Sequence, residues 1–182
     1  MLDQLKQSQA KIRMPLFAQV IYPVLEREIA SDNLQAIQVL LHYTTLLNNY
    51  NSMQKLSDGY SAGALVKRYL QQEPENREML LKKEALLFND LYFAVHELPH
   101  GVLYGMNGAT LDGCKELLDL LEEYKSTCQK LQIDRDADIR YYDMHFQGYQ
   151  DYLLHRDLYE SYRDYIYHHN LEVQKQQIYY FS

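Results

Sequence analysis

Residues 74–101 read PENREMLLKKEALLFNDLYFAVHELPHG. From Met79 the apolar positions fall in two rows: Leu80, Leu87, Leu91, Ala94 and Leu98, and beside them Met79, Leu86 and Phe93. That spacing is the signature of a helix face. Between Ala85 and Val95 only Asn89 and Asp90 are polar. A helix apolar on nearly every side is normally packed between others. The stretch therefore predicts a helix over 74–98 at the middle of an all-α fold.

The stretch ends in His96-Glu97-Leu98-Pro99-His100, the letters of the H-E-x-x-H zinc motif. That chemistry needs two imidazoles one turn apart on an unbroken helix, with the glutamate activating a metal-bound water. Pro99 opposes this, because it has no N–H for the Val95 carbonyl and disfavours α geometry at Leu98. The positions that would carry the extended motif's glycine and third histidine are Leu103 and Met106. A di-iron site would need two E-x-x-H pairs, and only Glu97–His100 supplies one. The expected reading is a helix-terminating turn, with a metal-dependent hydrolase using His96, Glu97 and His100 as the alternative.

Working outward, Phe17, Val20, Ile21, Val24 and Leu25 mark a helix face in 2–31, which Pro23 should kink or split near Tyr22. Ser31 or Asp32 should cap a second helix reaching about Tyr50 through Leu34, Ile37, Leu41, Thr44 and Leu47. Ser57-Asp58-Gly59 is a turn signal, and a shorter helix follows from Ser61 to Gln72. Beyond the central helix, GVLYGMNGA at 101–109 holds three of the seven glycines, a loop able to approach a ligand closely. Thr110 or Asp112 then starts a helix striped by Leu111, Cys114, Leu117, Leu118, Leu121, Tyr124, Cys128 and Leu131. The two cysteines lie 14 residues apart on that helix. At ~1.5 Å rise per residue they stand roughly 21 Å apart, so they read as buried thiols.

Tyr69 to Asn76, with Ala62 at the position where counting back over the same repeat expects an alanine, resembles the closing stretch of a tetratricopeptide repeat over about a fifth of the chain. Tyr50 stands where that pattern has a small residue, and no second copy follows. The resemblance implies antiparallel helix pairs and no more.

Length and composition agree with one domain over 1–182, of roughly six or seven helices in antiparallel pairs, as a bundle or a short helical-hairpin array. The 182 residues include only 7 Gly and 4 Pro, so turn punctuation is sparse. A net charge of −7 with no Lys/Arg-dense window argues against nucleic acid as partner. No run approaches the ~18 apolar residues of a membrane helix. The expectation is a cytoplasmic protein.

The unusual number is 18 tyrosines beside no tryptophan, dense over 135–182. Tyrosine suits half-buried faces and partner surfaces alike. Tyr149, Tyr152, Tyr159 and Tyr162 are the candidate partner surface, for another protein or a second copy. Asn89, Tyr92, His96, Glu97 and Tyr104 are the candidate ligand pocket. Asp151–His155 and Asp164–His168 have general-base spacing, yet no Ser or Cys stands at a nucleophile motif. The functional expectation is a non-catalytic helical interaction or ligand-binding module without a cofactor.

Overall fold

A computed structural model describes residues 12–54 and 60–174. The fold is all-α, and no strand occurs among the described residues. Contacts group the chain into two compact units, Met1–Lys83 and Glu84–Ser182. The turn signal at 57–59 and the last tyrosines, Tyr179 and Tyr180, lie outside the described residues.

In the N-terminal unit, Met14–Leu16 leads through a π-helical turn, Phe17–Ile21, into α1 (Tyr22–Ala30). The break expected at Pro23 takes this form. Pro23 has no N–H to offer the carbonyl four residues back, and the wider turn, with the Tyr22 amide on the Phe17 carbonyl, absorbs the mismatch. Asp32 closes α1 in the left-handed region, φ 59°, while the Asn33 amide reaches back to the Glu28 carbonyl. The next cap therefore falls on Asn33 and not on Ser31 or Asp32. Its Oδ1 accepts from the amides of Gln35 and Ala36 at 3.0 and 3.4 Å.

The helix expected to reach Tyr50 is two, α2 (Leu34–His42) and α3 (Thr44–Gln54). At the break the Thr44 hydroxyl takes the Leu41 carbonyl at 2.6 Å, competing with the helical ladder. Helix α4 (Ala62–Gln72) starts where expected, Ser61 Oγ accepting from the Ala64 amide. Helix α2 packs against α1, α3 and α4. The core between them is largely aliphatic, with Leu25, Ile29, Ile37, Leu40, Leu47 and Leu65 all buried.

Helix α5 (Arg77–Val95) crosses from one unit's residues to the other's. Asn76 caps it, its Oδ1 accepting from the Met79 amide. Its burial is one-sided, unlike the all-round packing its apolar sequence suggests. Leu87, Leu91, Ala94 and Val95 are enclosed, whereas Leu81, Tyr92 and Phe93 are exposed. At ~3.6 residues per turn one packed neighbour surface takes only one face, and the apolar excess is left outward.

The C-terminal unit adds α6 (Leu111–Leu131), α7 (Asp136–Leu154) and α8 (Tyr162–His169). Helix α7 packs on both α6 and α8. Thr110 caps α6 by accepting from the Gly113 amide at 3.1 Å, and Gln132 ends it at φ 57°. Both cysteines are buried free thiols in this core. Glu84, nearly enclosed, accepts from the Tyr124 hydroxyl at 3.2 Å and from Arg135 Nε at 3.3 Å. Arg135 also lies over the Phe88 ring, 5.4 Å from its centroid. No described helix is long and apolar enough to cross a membrane.

Candidate functional site

Helix α5 stops at Val95, so the H-E-x-x-H letters fall in a turn and not on a helix. That turn closes through the Leu98 amide on Val95 and the His100 amide on Glu97, at 3.1 and 2.8 Å. The two imidazoles take different partners. His96 donates from Nδ1 to the Phe93 carbonyl and packs on that ring, with Nε2 3.1 Å from Glu97. His100 instead accepts from Arg163 of α8, Nη2 to Nε2 at 3.2 Å. Among the described residues, no group of three or more His, Cys, Asp or Glu gathers as a metal-ligand set.

Asn89, Tyr92 and Glu97 are exposed, and His96 is half-buried. Tyr92 stacks on Phe88, while Tyr104 donates to Glu116 of α6. The Tyr104 ring lies against Gly113, where an added Cβ would sit 3.4 Å from it. These five positions thus form an outer strip along α5 and the following loop, with Tyr104 fixed onto α6.

Of the four tyrosines read as a partner surface, Tyr162 is 1% exposed and Tyr152 7%, both inside the core. Tyr149 meets Tyr162 edge-on at 4.8 Å, and Tyr159 meets Tyr165 at 5.1 Å. The reason is pairing: α7 and α8 turn these faces toward each other, leaving only Tyr149 and Tyr159 half-buried. Burial pushes the Tyr162 phenol up, with neighbouring phenols adding to the effect.

Tyr162 also holds His145, which is fully enclosed. His145 Nδ1 lies 3.2 Å from the Tyr162 hydroxyl and Nε2 2.8 Å from the Glu172 carbonyl. The Glu172 carbonyl must accept, which places the imidazole proton on Nε2; the single phenol proton then has two acceptors within reach, Nδ1 and the His145 carbonyl, each at 3.2 Å. Tyr141 packs on the same ring, and its hydroxyl accepts from the Gln174 amide. Burial lowers the His145 pKa, partly opposed by the Glu172 bond.

A different set of residues lines an open groove of about 540 Å³. The 100–111 segment contributes His100, Asn107 and Thr110; α7 and the turn after it contribute Tyr149, Tyr152, Leu153 and Arg156. Gly108, at φ 79°, lets the loop turn here in a conformation that side chains disfavour. Beside Gly101, a Cβ would lie 3.5 Å from the Tyr149 hydroxyl, so ring and loop backbone meet closely. Burial, then the Tyr152 phenol, raises the Tyr149 pKa, which keeps it a hydroxyl donor. The glycine-dense loop was the sequence signal for this place. Arg156 and Asn107 carried none, because a lone exposed arginine or asparagine has no periodic or motif context.

Comparison with known proteins returned no match to a protein family, a curated protein or a solved structure.

Proposed function

We propose that the chain is a non-catalytic helical binding module whose ligand enters the groove between the 100–111 segment and the end of α7. One observation carries this reading: the groove draws His100, Tyr149 and Tyr152, separately prominent in the sequence, to one concave surface. Its volume of about 540 Å³ suits a small molecule, for which pockets span about 300–1,000 Å³. The proposal includes a cytoplasmic setting, which two buried free thiols support.

A thermal-shift screen of metabolite classes tests it, run beside Leu111→Trp. Leu111 lines the groove and is exposed, so the indole fills the groove without entering the core. The expected result is stabilisation by at least one class, abolished in the variant while the unliganded melting temperature stays unchanged. A ligand that stabilises both chains equally would remove the groove from the proposal.

A protein partner or a second copy is the further reading, favoured by the exposed Tyr92, Phe93 and Met106. Light scattering of the full chain and of Tyr92→Ser/Phe93→Ser tests it. A mass unchanged between them, at that of one chain, would exclude the second copy at this strip.

A further inference from the structure

Two grooves among the described residues of the C-terminal unit differ in charge. One, of about 320 Å³, is lined by Glu122, Lys125, Asp136, Arg140 and Asp143 with apolar neighbours. Its three acids face two bases, and Lys125 is tied to Glu122 at 3.4 Å. Its walls therefore hold no excess of positive charge.

The groove proposed above has no carboxylate among its lining residues. Arg156 stands in it and forms no ion pair with any described residue. Arg163, behind His100, is likewise without a carboxylate partner among the described residues and spends its contact on the imidazole. Acids on flanking elements are engaged elsewhere: Asp112 with Lys115 at 3.2 Å, Asp151 with Tyr165 at 2.8 Å, Glu116 with Tyr104 and Glu97 with His96. Asp157 adjoins Arg156 in the chain but does not line the groove.

In a chain of net charge −7, two guanidinium groups that form no ion pair with a described carboxylate place positive charge beside one concavity. Because Arg163 donates to Nε2, His100 carries its proton on Nδ1 and remains a donor. Tyr149, Tyr152 and Leu153 add an apolar wall. The first turn of α6 adds positive potential, while the guanidinium groups supply the full charges.

We propose that this groove binds a small organic anion, a carboxylate or phosphate on a planar apolar body. Arg156 and His100 take the anionic group, and Tyr149 and Tyr152 take the body. An arginine fork matches either oxyanion in two parallel hydrogen bonds. The proposal rests on the reading that the groove is the module's binding site.

The test is calorimetric titration of the full chain at low salt with phenylacetate, phenyl phosphate, neutral phenylacetamide and inorganic phosphate. Phenylacetate or phenyl phosphate should bind at least roughly tenfold more tightly than the amide, and the tighter of the two identifies the preferred anion. Arg156→Gln should weaken that binding roughly tenfold, leave the amide unchanged and leave the melting temperature unchanged; Arg156→Lys, which keeps the charge but loses the fork, should restore only part of it. Equal affinity for phenylacetate, phenyl phosphate and phenylacetamide, or no effect of Arg156→Gln, would overturn the anion inference. If Leu111→Trp still abolishes binding in that case, the groove itself stands. Inorganic phosphate binding as tightly as phenyl phosphate would overturn the role given to the apolar wall. No binding by any of the four would overturn the inference and, with an empty metabolite screen, the groove reading too.

Discussion

The two units build their cores from different materials. In the N-terminal unit, apart from the rings beside the π turn, the enclosed side chains are mainly Leu, Ile and Val. In the C-terminal unit they include Tyr124, Tyr141, Tyr142, Phe146, Tyr152, Tyr162 and Tyr165. Aliphatic burial is non-directional, so such a core needs only volume and pattern. A tyrosine core must also place each hydroxyl, since an unpaired buried one forfeits its hydration. The C-terminal unit meets that demand with Glu84–Tyr124–Arg135 and His145–Tyr162–Glu172. Among the described residues, the one buried side-chain polar atom without a partner is Asn51 Oδ1, in the N-terminal unit.

The largest expected effect is on the aromatic packing itself. Phe146 is fully enclosed and stacks on Tyr142 at 6.2 Å. Phe146→Ala should cost about 3–5 kcal/mol in urea denaturation, the lost transfer energy plus an unfilled cavity. A loss below about 1.5 kcal/mol would mean that the ring is not a core member.

Removing a polar anchor should cost less, and unequally in the two units. Glu84→Ala strips the acceptor from the buried Tyr124 hydroxyl, a loss of about 1–3 kcal/mol, while partly exposed Arg135 turns to water. In the N-terminal unit, Gln38 donates to the Tyr69 hydroxyl at 2.9 Å, but that hydroxyl also meets Glu73 and Asn76 at 3.2 and 3.3 Å. Gln38→Ala should therefore cost under about 1 kcal/mol. Equal losses would erase the contrast between directional and non-directional cores.

The same contrast decides what could be read from the chain. Periodic apolar positions and the caps Ser61 and Thr110 placed α4 and α6 within a residue or two of where they stand. Local rivals escaped: the closure at Asp32 moved the next cap to Asn33, and the Thr44 hydroxyl split a helix whose stripe continued unbroken. Of the proposed site, the glycine-dense loop was legible because glycine has a backbone meaning. Arg156 was not, since its neighbourhood arises from α7's end meeting a loop some 50 positions away in the chain. The tyrosine excess is legible, but which tyrosines are enclosed is not, because period alone does not say which of two tyrosine-bearing faces another helix covers.

The smallest expected effect concerns the imidazole that ties α7 to Tyr162 and to the Glu172 backbone. His145 sits neutral between the Tyr162 hydroxyl and the Glu172 carbonyl, and burial holds its pKa below the usual histidine value of about 6.5. Below about pH 6.5 the unfolded chain takes up a proton at this position before the folded one does. The unfolded state then binds more protons, so stability rises with pH in this window and the His145 contribution fades as pH falls. Denaturation curves at pH 7, 6 and 5 should show the wild type losing more stability on acidification than His145→Gln, whose amide can donate to Glu172 and accept from Tyr162 without titrating. The other histidines are common to both chains and cancel in the comparison. Parallel losses would mean that His145 reaches water freely, and the polar locking ascribed to the tyrosine core would fail at its most enclosed point.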